Sequence, residues 1–187
     1  MKLRNITHHF LLMNEIEAKI IEIDRPRVEA RLRELGAVKT FDGELSAYFY
    51  DFPDERISQA QGVLRLRREG DEVRLTGKRM VSLEGGVKDM AEDESVVADL
   101  AAVQRILLGL GLVEIKQTRK YRTQYELGDV HVVFDDYQGR LAAIPVFIEI
   151  EAQDRVRLFE VVAQLGFTPA DCKSWSTYEL VQHYGLE

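Results

Sequence analysis

Cysteine is almost absent from this chain of 187 residues: Cys172 stands alone. An intrachain disulfide is thereby excluded, which fits a reducing compartment, and so is a zinc site built from several thiolates. Also missing is any apolar run long enough to cross a bilayer as a helix. The short run Phe10-Leu11-Leu12-Met13 follows Lys2, Arg4, His8 and His9, but it is too short for a signal-peptide core and no small-residue cleavage site follows it. A cytoplasmic location with no membrane partner is the expectation. Positive charge is not in excess either. The formal net charge is -7, which argues against a nucleic-acid partner, because a polyanion would be repelled. The four histidines, His8, His9, His131 and His183, show no metal-motif spacing.

What is present is an ordinary globular composition, 45% hydrophobic and 30% charged, in a chain long enough to bury a sizeable core. No composition break marks a boundary, so residues 1–12 read as an extension and 13–187 as one domain. Residues 14–23 alternate charged and apolar, the pattern of a strand. Arg25-Pro26 opens a helix with Val28, Leu32 and Leu35 on its apolar stripe, stopped by Gly36. Residues 47–52 read as a strand, 62–68 and 72–78 as a hairpin, and the polar, glycine-containing stretch 82–89 as a mobile loop. A strand follows over 91–97. Asp99 then caps a helix with Leu100, Val103, Leu107 and Leu110 inward. Residues 118–127 and 130–135 form a second hairpin, and 146–152 another strand. Asp154 caps a third helix with Val156, Phe159 and Ala163 inward, and 174–184 reads as a short helix. Three times a Glu-x-Glu (Glu15/Glu17, Glu92/Glu94, Glu149/Glu151) precedes a helix ending in Leu-Gly, which points to one strand–helix unit reused within the domain.

Side chains of a strand alternate between its two faces. Sorted this way, Glu15, Glu17 and Lys19 share a face, as do Arg65 and Arg67, then Arg74, Thr76 and Lys78. Glu92 and Glu94 fall together, as do Lys120, Arg122 and Gln124, then His131, Val133 and Asp135, and lastly Glu149 and Glu151. A half-solvated sheet accounts for any one strand. The whole set is too rich in arginine and paired carboxylates for that, and the amphipathic helices can cover the opposite, apolar faces. Helices outside put the charged face inside, in the lumen of a barrel. Unpaired charges there are costly. The acidic members suit a hard divalent cation, and the basic members suit phosphate, so both together imply a metal–polyphosphate chelate.

At these residues the chain resembles the CYTH family, also called triphosphate tunnel metalloenzymes. The family includes class IV adenylate cyclases, thiamine triphosphatases and inorganic tripolyphosphatases. The resemblance rests on Glu15-Ile16-Glu17-Ala18-Lys19, then Tyr48-Phe49-Tyr50-Asp51, Leu64-Arg65-Leu66-Arg67 and Leu75-Thr76-Gly77-Lys78 in order. Glu94, Lys120-Tyr121-Arg122, Phe134-Asp135, Phe147-Ile148-Glu149-Ile150-Glu151 and Ser176-Thr177-Tyr178-Glu179-Leu180 follow, so that the likeness covers about residues 13–182.

The resemblance implies an α+β fold: a closed eight-stranded antiparallel β-barrel, a triphosphate tunnel with charged lumen and helices packed outside. It implies Mg2+ or Mn2+ held by Glu15, Glu17, Glu149 and Glu151, with Glu94 and Asp135 next. It implies a triphosphate-containing small molecule held by Lys19, Arg65, Arg67, Lys78, Lys120 and Arg122. Arg74 joins this group by face. Lys19, Arg67 and Lys78 are the expected catalytic cations. The first expected activity is a metal-dependent triphosphatase. The alternatives are a class IV adenylate cyclase and a non-catalytic polyphosphate-binding module; the full carboxylate set speaks against the last. His131 reads as a hydrogen-bonded histidine on the lumen face, Trp175 and Tyr178 as docking groups of the last helix, Cys172 as packing, and Lys173 as a neighbour of the tunnel mouth.

Overall fold

The computed structural model describes residues 13–186, so the extension at 1–12, with His8 and His9, lies outside the described residues. Strand β1 (Met13–Ile20) leads into α1 (Arg25–Glu34), β2 (Val38–Asp51), the single turn α2 (Arg56–Gln59) and β3 (Gly62–Glu69). Then come β4 (Glu72–Glu84), β5 (Val87–Val96), α3 (Leu100–Gly109), β6 (Val113–Leu127) and β7 (Val130–Tyr137). Strand β8 (Phe147–Ala152), α4 (Arg155–Gln164) and α5 (Thr177–His183) complete the described chain. The strands close into one antiparallel barrel in the order β1-β5-β4-β3-β2-β6-β7-β8, with β8 pairing back onto β1. The expected α+β barrel with helices outside is the observed fold.

The helix boundaries follow their caps. Asp24, Asp99 and Asp154 each accept a hydrogen bond from the backbone N–H three residues on, satisfying a donor that the first turn leaves free. Ser176 and Glu179 cap α5 reciprocally. The apolar faces are covered in three groups. Helices α1 and α4 bury Val28, Leu32, Leu158, Val161, Val162 and Leu165 against the outer face of β1, β7 and β8. Helix α3 covers Tyr50, Leu66 and Val73 with Leu107, and α5 covers Tyr137, Ile144 and Phe147 with Leu180. On α4 the inward stripe differs from the expected one: Val156 is 67% exposed and Ala163 is exposed. The stripe Leu158/Val161/Val162/Leu165, at i, i+3, i+4 and i+7, offers more apolar area and takes the core. Leu110, expected inward, is 68% exposed beyond the end of α3.

Two further corrections concern strands. β2 runs from Val38, nine residues before the expected start, and β6 from Val113. Each is paired along its length by the other, and this long-range ladder offsets the weak local signal of 38–46. The stretch 82–89, read as a mobile loop, is instead the tip of the β4–β5 hairpin, with Glu84 opposite Val87. Gly85 and Gly86 sit at φ 59 and 75, the left-handed pair that a tight hairpin turn requires.

The connections divide the barrel ends. β3–β4 and β6–β7 turn through two residues each at one end. At the other end lie α2, the β4–β5 tip, the β7–β8 connection and the C-terminal segment. That segment is tied to β1 by the backbone bonds Lys19 N–H to Lys173 O (2.8 Å) and Lys173 N–H to Lys19 O (2.7 Å). A Cβ on Gly86 would stand 2.5 Å from the Cys172 carbonyl oxygen, whereas at Gly85 the nearest heavy atom is 3.9 Å away on the flexible Arg155. Gly86→Ala is therefore expected to cost about 2 kcal/mol or more in urea unfolding and Gly85→Ala about 1 kcal/mol. Equal costs would show that the tip is not seated on the C-terminal segment.

Candidate functional site

All thirteen residues singled out by face and resemblance line a single cavity of about 1880 Å³ along the barrel axis. Glu15, Glu17 and Lys19 come from β1, Arg65 and Arg67 from β3, Arg74 and Lys78 from β4, and Glu94 from β5. Lys120 and Arg122 come from β6, Asp135 from β7, and Glu149 and Glu151 from β8. The alternation of strand side chains places them there, because their odd or even partners (Ala18, Leu66, Val73, Phe134, Ile148, Ile150) are buried on the outer face. Strand β2 departs from this rule. Its lumen face is Phe41, Leu45, Ala47 and Phe49, an uncharged wall.

The carboxylates fall into two groups. In the first, Glu17, Glu149 and Glu151 bring one oxygen each within 4.8 Å of the others, and Glu149 is also paired with Lys19 and, at 3.5 Å, with Arg122. In the second, Asp135 and Glu94 are engaged by cations. Arg122 donates to both Asp135 oxygens at 2.8 Å, and Lys120 is paired with the same group. Glu94 accepts from Arg74 Nη1 at 2.6 Å, from Thr76 Oγ1 at 2.8 Å and from Arg67 Nη2 at 3.4 Å. Glu15 stands between them: Lys78 Nζ donates to it at 2.6 Å and lies 2.7 Å from Glu92.

The electrostatics follow from these neighbours. Burial pushes Glu151 up to about 7, and the charges of Glu15 and Glu149 add to it. Burial and the adjacent Glu92 push Glu15 up to about 7 as well, against the pull of Lys78. Burial alone would raise Glu149 too, but Lys19, Lys120 and Arg122 outweigh it and hold the group well below the usual carboxylate range. The reciprocal effect raises Lys19, whose ion pair with Glu149 overcomes its desolvation. Lys120 is drawn down to about 8 by burial and by Arg122, which Asp135 only partly offsets. Arg65 is depressed by burial and by Arg67, with no hydrogen-bond partner at its buried Nε. The Nε atoms of Arg67 and Arg74 lack a hydrogen-bond partner as well. The lumen thus holds crowded carboxylates short of a cation and guanidinium donors short of an acceptor, which is the pattern of a site built for a cation and an anion together.

The chemistry of the Glu17, Glu149 and Glu151 donors fits a hard divalent cation, which takes carboxylate oxygen. Glu92 and Lys88 are among the lumen residues outside the expected set. Glu92 shared a face with Glu94 but had no partner assigned until Lys78 was seen beside it. Lys88 was hidden by reading its segment as a loop, to which no face can be given. His131 lines the cavity with Nδ1 4.0 Å from Glu151. Lys173 Nζ turns to the Ala170 carbonyl and faces Trp175, which packs beside α5 as expected, while Tyr178 is 66% exposed. Cys172 is buried and its thiol is pushed up to about 11 by that burial, so it packs rather than reacts.

Glu15 and Glu151 set the sign of one pH effect. Both lie above the 4.5 of an unperturbed glutamate, so between about pH 4.5 and 7 the folded chain binds more protons than the unfolded one, and these groups cost stability as pH rises. Glu151→Gln is expected to stabilise the metal-free protein by about 2 kcal/mol at about pH 8 and to change little at about pH 5. Thermal unfolding at the two pH values checks this; a loss of stability at the higher pH would contradict the crowding of these carboxylates.

Comparison with known proteins agrees with this architecture. Residues 13–170 match the CYTH domain family. A solved protein of Vibrio parahaemolyticus, described as a candidate adenylate cyclase, superposes with a TM-score of 0.75 at 20% identity, covering 90% of this chain and 97% of its own. The PH1819 protein of Pyrococcus horikoshii OT3 gives 0.72 at 23% identity, over 90% and 98%. A Hippeastrum candidate adenylyl cyclase, described as revealing a dominant triphosphatase activity, gives 0.65 at 18% identity, over 92% and 97%. At such identities the likeness is one of fold. No curated protein sequence matches the chain. No helix among the described residues is long and apolar enough to cross a membrane. The chain belongs to the CYTH domain family.

Proposed function

We propose that this CYTH-family chain is a divalent-metal-dependent phosphohydrolase that cleaves a triphosphate compound held along the lumen: inorganic tripolyphosphate, or a nucleoside or thiamine triphosphate. The observation that carries the reading is the Glu17/Glu149/Glu151 oxygens, within 4.8 Å of one another, in the same lumen as the unsatisfied guanidinium donors of Arg65, Arg67 and Arg74. A purely anion-binding wall has no use for the first group, and a purely metal-binding one has no use for the second.

Glu17, Glu149 and Glu151, with Glu15 beside them, would hold Mg2+ or Mn2+, which when bound neutralises phosphate oxygens. Metal contact by Glu94 or Asp135 would require their ion pairs to open first, as would contact through the Glu149 oxygen that Lys19 holds; in the closed state Glu94 and Asp135 orient Arg74 and Arg122. Arg65, Arg67, Arg74, Lys120 and Arg122 bind the phosphate oxygens, the arginines two at a time. Lys19, Arg67 and Lys78 stabilise the negative charge that builds on the bridging oxygen. The oxygen of a water molecule bonds to the terminal phosphorus. The bridging P–O bond breaks, its electron pair leaves with the remaining diphosphate, and orthophosphate is released with one proton. A cytoplasmic site of action accords with the single buried thiol, Cys172.

The second reading is an adenylate cyclase, in which the ribose 3′-hydroxyl of ATP attacks the α-phosphorus and pyrophosphate leaves. It is motivated by the fold shared with the Vibrio protein. Product analysis separates the two. With Mg2+ or Mn2+ and tripolyphosphate, ATP or thiamine triphosphate in turn, orthophosphate is expected, and EDTA is expected to abolish it. Glu149→Gln is expected to lower kcat by at least about 100-fold. Cyclic AMP with pyrophosphate from ATP would establish the cyclase instead. Turnover by Glu149→Gln equal to that of the unaltered chain would overturn both.

A further inference from the structure

The charged pattern of the lumen breaks off at four apolar side chains. Phe49 of β2, Val63 of β3, Met80 of β4 and Met90 of β5 all line the cavity. None of them belongs to the three apolar clusters of the fold. The strand register makes them neighbours. Phe49 lies opposite Arg65, two residues from Val63. Val63 lies opposite Lys78, two residues from Met80, and Met80 lies directly opposite Met90. The patch therefore adjoins the charged layer of Arg65, Lys78 and Glu92, one step of about 7 Å along the strands. Apolar surface turned into a polar cavity is unfavourable until an apolar group covers it.

The rim beside the patch is held by a carboxylate that takes no part in the lumen. Asp51 is fully buried. It accepts hydrogen bonds from the backbone N–H groups of Phe52 at 2.7 Å, Ile57 at 3.0 Å and Ser58 at 2.8 Å, and from Ser58 Oγ at 2.6 Å. These bonds fix α2, and Gln61 follows two residues after it. Gln61 is held at φ 55, a left-handed backbone that costs a residue other than glycine, and its carbonyl accepts the Met80 N–H at 3.3 Å. It lines the cavity, and its exposed carboxamide has no hydrogen-bond partner among the described residues.

These groups suit one kind of organic part. A carboxamide offers a donor and an acceptor side by side, as the edge of a nucleobase requires, while phenylalanine and methionine suit its ring. Local charge selects among rings. Phe49 is flanked by Arg65 on β3 and by Lys116 on β6, whose Nζ stands 5.4 Å from the Phe49 ring centroid. Neither cation is paired with a carboxylate among the described residues. They repel the cationic thiazolium of thiamine and leave a neutral base unopposed.

We propose that Phe49, Val63, Met80 and Met90, with the Gln61 carboxamide at their edge, form a subsite for the base of a nucleoside triphosphate. The chain then takes nucleoside triphosphates in preference to inorganic tripolyphosphate and thiamine triphosphate. The subsite rests on the phosphohydrolase reading only in that a triphosphate occupies the lumen, and it is independent of which bond is broken.

The test compares the full chain with Phe49→Ala, Phe49→Leu, Gln61→Ala and, at an exposed position of β4, the control Val81→Ala. ATP, tripolyphosphate and thiamine triphosphate are the probes. Dissociation constants are measured by calorimetry in EDTA, without turnover, and kcat/KM with Mg2+. The unaltered chain is expected to favour ATP over the other two by about tenfold, the effect of one stacked base. Phe49→Ala is expected to lower the ATP-to-tripolyphosphate ratio about tenfold and Gln61→Ala about fivefold. Phe49→Leu is expected to lose less than Phe49→Ala, and Val81→Ala to leave the ratio as it is. If turnover is metal-dependent but neither Phe49→Ala nor Gln61→Ala moves the ratio, the subsite is wrong and the hydrolase stands. If nothing is hydrolysed but ATP binding still depends on Phe49 and Gln61, the hydrolase is wrong and the subsite stands. A preference of the unaltered chain for tripolyphosphate or thiamine triphosphate overturns the substrate class. Neither binding nor turnover of any probe overturns both. Thermal unfolding checks that Phe49→Ala folds, and Gln61→Ala carries the test if it does not.

Discussion

A charge taken out of water must meet an opposite charge or a ligand, and seven of the eight strands are arranged around that demand. β2 alone turns an uncharged face, Phe41, Leu45, Ala47 and Phe49, to the lumen. Where the protein answers the demand itself, the result is an internal ion pair, as between Arg122 and Asp135. Where it does not, the deficit describes the missing ligand. Glu17 and Glu151 have no lysine or arginine partner among the described residues, while Arg65 and Lys88 lack an anion. The site is legible as a pattern of unmet charges rather than as any one residue.

The outer surface carries the stability that such a lumen consumes. Apolar partners alternate with the charged side chains along the same strands, and α1, α3 and α4 bury them in two clusters, while α5 packs on Tyr137 and Phe147, which line the cavity. One consequence is a barrel with unlike ends. Two-residue turns border one end. Strand tips, a seated glycine and the C-terminal segment, tied through Lys19 and Lys173, border the other.

Legibility varied with the range of the interaction behind each feature. The faces of Glu15 to Lys19, of Arg65 and Arg67, and of Glu149 and Glu151 were readable because alternation is a local property of an extended chain. The caps at Asp99 and Asp154 were readable for the same reason. The first half of β2 was not, since 38–46 become a strand through pairing with β6, which lies about eighty residues away in the chain. The hairpin tip at Gly85-Gly86 reads locally as a loop, which gives Lys88 no strand face. The inward face of α4 is ambiguous in the sequence because Val156 and Leu158 are both apolar, and only the packed sheet decides which stripe is used.

The sequence by itself determined which side chains share a strand face, where helices begin, and that charge of both signs must be brought together inside, because these depend on period, on caps and on the cost of burying charge. It also determined the resemblance that pointed to a triphosphate tunnel. Tertiary structure alone decided which carboxylates keep their own cations and which are left to share one, since that depends on distances between strands far apart in the chain. It alone decided that the hairpin tip and the C-terminal segment meet at one end of the lumen. The physical reason is the same in both cases: a strand's alternation is set by its own backbone, whereas a charge is partnered or left bare only by what the closed barrel places across from it.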